Sequence, residues 1–371
     1  MRSAVIIAAV ASMATANPVV VREATFQDGI DLSVFDAAPA VTKTGPAVGA
    51  VSETPSYNKA AASAAAVADA IENPISSSAN NSTLKARSAA GDAAIGDPSG
   101  CSTLEPAGSG GVQTTDSYNA FMVNQTLKDI GNNAPVPQGY QLSFSGKQGS
   151  TSQNGYLGLY TLKSFDTILC QQKCDAATAC TAFNLYIERD PKYTPTSTCQ
   201  NPPSTINYKC TLWGLAVTSD TATNNGQWRQ QFHVGITASN GYVKNVKPDA
   251  APGFDGPTAF AGAINAPDKT FIGSKYFPGP YDASQCTAAC QGTTQYDREH
   301  PNADGTYDAC NFVNSYVLSE NNAPQGTYCG LYTKSWEKKY STNYGQYRGN
   351  DYYSVSSSYG WTLNPQDPGH I

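Results

Sequence analysis

Charge is scarce in this chain. Only 14% of its 371 residues are Asp, Glu, Lys or Arg, and Ser, Thr, Asn, Gly and Tyr carry most of the polarity. The formal net charge is -6 with no basic stripe, which argues against a nucleic-acid partner. Histidine occurs three times, as His233, His300 and His370, none in an HExxH or CxxC…H pattern that would hold zinc. There is no GxSxG elbow, Walker loop or dinucleotide glycine pattern. The sequence therefore calls for no cofactor and no catalytic constellation, and the chain is expected not to be an enzyme. After the N-terminus no apolar run approaches the ~18 residues needed to span a bilayer, and the polar ending NPQDPGHI is not a lipid-anchor signal.

Residues 17–100 lack both cysteine and tryptophan. They mix Ala, Ser, Thr and Val, with Pro46, Pro55, Pro74 and Pro98 as punctuation. Such a stretch has little to bury, so it is expected to be mostly disordered or propeptide-like, with one helix between Tyr57 and Asn73. Before it, Arg2, the apolar run Ala4 to Val10 and the small-x-small site Ala14-Thr15-Ala16 read as a signal peptide over 1–16. Lys85-Ala86-Arg87 is a candidate processing site. Asn80, Asn81 and Asn124 head N-x-S/T sequons, so the chain is expected to be a glycoprotein.

What is present is cysteine. There are ten, all from Cys101 onward, an even number that implies disulfides made in an oxidising compartment. The central stretch is Phe165 to Tyr186. Cys170 and Cys174 lie four apart on a short helix, so both thiols leave one face and each reaches toward a different strand. Cys180 opens the alternating run Phe183-Asn184-Leu185-Tyr186. Further on, Lys209 to Trp213 reads as a short strand. Trp228, Phe232, Val234 and Ile236 share one face of a longer strand.

The pattern then repeats. Cys170/Cys174 corresponds to Cys286/Cys290, Ala179-Cys180 to Ala309-Cys310, Asn184 to Asn314, Tyr186 to Tyr316, and Cys210 to Cys329. From there the spacing is identical: Gly226-Gln-Trp-Arg229 matches Gly345-Gln-Tyr-Arg348, and Gly241-Tyr242 matches Gly360-Trp361. Such a run of coincidences is a tandem duplication. It divides the chain into domain 1 with an N-terminal extension (101–246), a Pro/Gly/Ala-rich linker (247–267), domain 2 (268–362) and a tail (363–371). Repeat 2 carries an insertion, Gln291 to Asp308, and lacks counterparts of Cys199 and of Glu188-Arg189-Asp190-Pro191. Matching leaves Cys101 and Cys199 for each other.

CxxxC on a helix, a cysteine followed by an aromatic/Asn/Tyr strand, then Cys-x-Leu resembles the PAN/apple fold. FNLYIERDP, KCTLWG, GQWRQQF and ASNGY are similar to a family of secreted ascomycete (fungal) proteins with PAN/apple-like domains. The resemblance runs from about Cys101 to Trp361. It implies an α+β fold: two tandem domains, each an antiparallel sheet cradling one disulfide-stapled helix. It also implies the pairs Cys170–Cys210, Cys174–Cys180, Cys286–Cys329 and Cys290–Cys310, and a family used for binding proteins or carbohydrates. The further disulfide joining the ends of animal apple domains has no equivalent here.

Two groups of residues are candidates for ligand contact. Glu188, Arg189 and Asp190 open what reads as a long loop through Asn207, pinned by Cys199. Tyr340, Tyr344 and Tyr352 match the polar Thr221, Asn225 and His233, which places them at the surface, where flat rings suit sugars or proteins. Tyr347 and Trp361 match Trp228 and Tyr242 and are expected in the core. Glu188/Asp190 and Asp297/Glu299 alternate with arginine and read as paired surface charges; a hydrolase would need a buried carboxylate pair instead. Asn302, Asp304 and Asp308 are a fragment of a Ca²⁺ site without its remaining ligands. The expectation is a secreted, extracellular or cell-wall, non-catalytic binding protein for an extracellular protein or glycan. The alternative is a structural extracellular or cell-wall component.

Overall fold

The computed structural model describes residues 29–47, 49, 52–75, 101, 103–105, 115–244 and 247–371. The signal peptide, Asn80, Asn81 and Lys85 to Arg87 lie outside the described residues. The fold is α+β, with sheets that pair antiparallel throughout and five disulfides.

The first described elements are helix α1 (Ser33–Ala37), strand β1 (Ser52–Glu53) and helix α2 (Lys59–Glu72). The Asn58 side chain caps α2 by accepting from the Ala61 N–H at 3.0 Å, and alanines supply its helical propensity. The next elements build the first unit: α3 (Tyr118–Val123), α4 (Gln125–Asn132), β2 (Tyr140–Lys147), β3 (Tyr156–Leu162), α5 (Thr167–Ala176), β4 (Ala182–Pro191), β5 (Ser204–Trp213), the short hairpin β6 (Trp228–Arg229) and β7 (Phe232–His233), and β8 (Gly235–Lys244). The strand order is β1-β3-β5-β4-β8-β2. Asp166 caps α5 through the Leu169 N–H at 2.9 Å. Cys170 and Cys174 leave its buried face, the first bonded to Cys210 on β5 and the second to Cys180 ahead of β4. Phe183, Leu185, Leu212 and Tyr242 pack around them.

The second unit repeats this plan with β9 (Phe254–Ala259), β10 (Phe271–Pro278), α6 (Ala283–Glu299), β11 (Phe312–Glu320), β12 (Ala323–Tyr332), β13 (Gly345–Arg348) and β14 (Asp351–Leu363). The order is β10-β12-β11-β14-β13, with β9 also on β14. Cys286 bonds to Cys329 and Cys290 to Cys310. One buried pair shows how closely the units correspond. Asn184 accepts from the Thr151 N–H and donates to Ser239 Oγ and the Asn240 carbonyl; Asn314 does the same with Ile264, Ser358 and Tyr359, all at 2.8–3.0 Å. An amide buried without such partners would be costly.

Several expectations are corrected. Residues 29–47 and 52–75 are not a disordered leader but a strap across both units. Ile30 and Leu32 are buried against Tyr276, Tyr316, Leu318, Tyr328 and Tyr353 of the second unit. Gln346 grips the Ile30 backbone from both sides at 2.8 Å. The strap then adds β1 to the edge of the first sheet, pairing with Tyr160 and Leu159, where a Cβ on Gly158 would lie 2.4 Å from the Glu53 carbonyl. Next α2 crosses back onto α6, with Ala66 and Ala70 against Ala288 and Ala289. Few apolar side chains suffice because they fill gaps on surfaces already built. The linker 247–267 is likewise not a bare connection, since its middle, β9, joins the second sheet by pairing with β14. The insertion after Cys290 mainly lengthens α6 to Glu299. The tail packs too: Asp367 accepts from Tyr307 Oη at 2.7 Å and His370 bridges to Thr306. At the start of the first unit Ser117 caps α3, and Asn124 ends it and caps α4.

The units are clamped directly as well. The Tyr281 N–H donates to the Gly214 carbonyl at 2.8 Å, and a Cβ on Gly214 would stand 2.3 Å from Pro280 Cβ. Asn154 donates to Gln325, and Asn322 to Asp220, each at 3.0 Å.

Candidate functional site

Glu188, Arg189 and Asp190 are not in a surface loop. They continue the inner strand β4 to Pro191, paired residue for residue with β5, which starts at Ser204. The charged triplet is therefore buried, at 6, 4 and 5% exposure, and the surface-charge reading is overturned. Alternation splits it between the two faces. Glu188 and Asp190 share a face with Lys209 and Asn207, and Lys209 donates to Glu188 and stands 3.4 Å from Asp190. Burial, and next the Asp190 charge, push the Glu188 carboxyl up to about 8 against the pull of Lys209. Burial works to lower the Lys209 ammonium, but the two carboxylates outweigh it and hold it above its usual range. On the opposite face Arg189 bonds Asp116 Oδ1 at 2.8 Å and the His233 carbonyl at 2.9 Å, with its guanidinium 4.1 Å from the Phe232 ring centroid. Burial opposes ionisation of Asp116, yet bonds from Ser204 and Arg189 hold its carboxyl below the usual range. A buried carboxylate pair is thus present, but it is enclosed and spent on Lys209.

The aromatic candidates divide differently from expectation. Tyr340 is half-buried, edge-on to Trp336 at 4.7 Å. Tyr344 is exposed, and Tyr352 is half-buried, 4.8 Å from Tyr347. Trp361 is buried as expected, but Tyr347 is 74% exposed and Trp228 is 66% exposed. The reason is local. Gln230 adopts a φ of 55° and reverses the chain, so Trp228 to Ile236 is a hairpin followed by β8 rather than one strand. Phe232 and Val234 turn inward while Trp228 turns out.

Trp228 and Tyr347 occupy equivalent places in the two units. Trp228 stacks on His233 at 4.2 Å and 12°, and His233 stacks on Tyr118 at 3.7 Å and 15°. Burial, then the nearby Arg189 charge, lowers the His233 pKa and favours the neutral ring. Tyr347 leans on Tyr352, the counterpart of His233. Neither platform was legible as exposed. The available signal was Gly349-Asn350 after Tyr347, a turn pair that marks a hairpin.

A third feature lies between the units. A cavity of about 370 Å³ is lined by residues of both, among them Lys244, Lys247, Tyr281, Asp282, Ser356 and Trp361, with Lys59 of α2 at its edge. Lys59 bridges Asp249 at 3.1 Å and Asp282 at 4.0 Å, and Lys244 bridges Asp175 at 2.7 Å. Among the described residues no group of three or more His, Cys, Asp or Glu side chains is placed to hold a metal. Asp304 instead accepts from the backbone and hydroxyl of Thr306 at 3.0 and 2.6 Å, closing a turn. No helix of the described residues is long and apolar enough to cross a membrane.

Comparison with known proteins finds no matching family model, curated protein or solved structure.

Proposed function

We propose that this is a secreted, non-catalytic binding protein, built from two PAN/apple-like domains, that recognises an extracellular carbohydrate polymer. The observation that carries the reading is the pair of exposed ring platforms, Trp228 and Tyr347, at equivalent positions of the two units. An amphipathic ring with one face supported and the other bare suits a sugar ring, which has an apolar face and a polar rim. Two platforms on one clamped body suit a repeating ligand, because linked weak contacts gain avidity. Five disulfides and the absence of a long apolar helix among the described residues fit an extracellular setting.

The test is retention on insoluble chitin, glucan and cellulose. Wild-type protein should bind one of them saturably. Trp228→Ala or Tyr347→Ala should each weaken retention about tenfold or more, as expected when one of two linked contacts is lost, without moving the thermal midpoint. Equal retention of the double variant, or no saturable binding to any polymer, refutes the reading and favours a structural role in the wall.

A further inference from the structure

We propose that Lys209 and Glu188 condense into an intramolecular amide across β4 and β5, with Asp190 taking up the ammonium proton. The register places the three side chains together on one sheet face. Tyr186 pairs with Lys209 and Glu188 with Asn207, so Lys209 is the diagonal neighbour of Glu188, about 7 Å away at the backbone. The two side chains close that gap, since Lys209 Nζ already contacts Glu188 Oε1. Asp190 Oδ2 lies 3.4 Å from Nζ and is held by Asn207 Nδ2 at 2.5 Å. Lys209 is 2% exposed.

The roles follow from the geometry: Lys209 Nζ rests against the Glu188 carboxyl, and Asp190 Oδ2, 3.4 Å from Nζ, is placed to take an ammonium proton. Burial and the Asp190 charge favour the protonated form of Glu188, whose hydroxyl leaves as water. Lys209 passes an ammonium proton to Asp190, and the amine attacks the Glu188 carboxyl carbon. The C–N bond forms, the C–OH bond breaks, one water leaves, and Asp190 ends protonated. Atoms and charge balance with no external reagent. Three ionisable groups become an amide and a neutral acid, which removes the cost of keeping charges out of water. In the second unit the equivalents of Glu188 and Lys209 are Leu318 and Tyr328, packed on Ile30 and Leu32, so the fold does not demand this ion pair. Asp190 is matched by Glu320.

Tryptic mapping after reduction and alkylation decides the matter, because cleavage after Arg189 puts Glu188 and Asp190 on different peptides. The expected product joins 174–189 to 193–229, lighter by one water, with no cleavage at Lys209. Recovery of 193–209 ending at an unmodified Lys209 overturns the proposal. A branch carrying 190–192 instead overturns the assignment of Glu188 as partner. Asp190→Asn, with its folding checked by near-UV circular dichroism, should release linear 193–209; a cross-link in that variant would overturn the role of Asp190.

Discussion

A single residue, Arg189, shows why charge is hard to read from sequence. ERDP resembles an exposed turn, and only the continuation of β4 beside β5 and β8 puts its guanidinium at 4% exposure between Asp116, Phe232 and a carbonyl. Its hydrogen-bond partners lie 44 and 73 residues away in sequence, and nothing local announces them. Arg189→Ala should therefore act on stability rather than recognition. Removing one member of a mostly buried pair costs about 3 kcal/mol, less here in proportion to the part-exposure of Asp116. Chemical denaturation measures it; an unchanged midpoint would mean the carboxyl is solvated without cost. His233 makes a second prediction. Its folded pKa is lowered below the ordinary 6.5 by burial and by Arg189, so the folded state binds fewer protons than the unfolded one. Its contribution is complete above about pH 6.5 and is lost as pH falls through the lowered folded value. His233→Asn should flatten the stability profile over that window, and a profile identical to wild type would show that the ring does not titrate on unfolding.

Elements were legible where spacing and capping fix them. Cys170/Cys174 and Cys286/Cys290 mark two helices, Asp166 and Asp282 cap them, and the five bonds of the structure join the pairs that the resemblance and the cysteine matching imply. The buried Asn184 and Asn314 recur because each needs the same three partners. The hairpin at Gln230 was not legible, since a glutamine in the left-handed region is uncommon. Nor was the docking of α2: its alanines signal a helix but not a partner. Where it meets α6, a Cβ on Gly292 would come within 2.9 Å of the Val67 carbonyl, so the two backbones are in near contact. Ala66→Leu should overpack this seam and destabilise by about 1–3 kcal/mol. Amide exchange across 59–72 should rise together with that of α6; exchange confined to α2 would show the helix to be a separable appendage.

At the scale of the whole molecule, the strap makes residues before Cys101 structural partners of both units. It touches the second unit at Ile30 and Leu32, the first at β1, and the second again at α2, where Lys275 Nζ bonds the Asp69 carboxylate at 2.8 Å and the Asn73 carbonyl at 2.6 Å. No cysteine precedes Cys101, so this grip is entirely non-covalent. Cleavage at Lys85 or Arg87 consequently has a distinctive expected outcome. The N-terminal piece should co-elute with the remainder in native size-exclusion chromatography. It should separate in denaturant without any reductant. The burial of Ile30, Leu32, Ala66 and Ala70 at 8% exposure or less is the reason: release would return those side chains to water and leave Tyr276, Tyr328 and Tyr353 uncovered. Each large apolar side chain so exposed costs about 1.5–3 kcal/mol, enough in sum to hold the piece at micromolar concentration. If the cut piece instead leaves under native conditions, the strap is a leader resting on the fold, and the second unit completes its core without it.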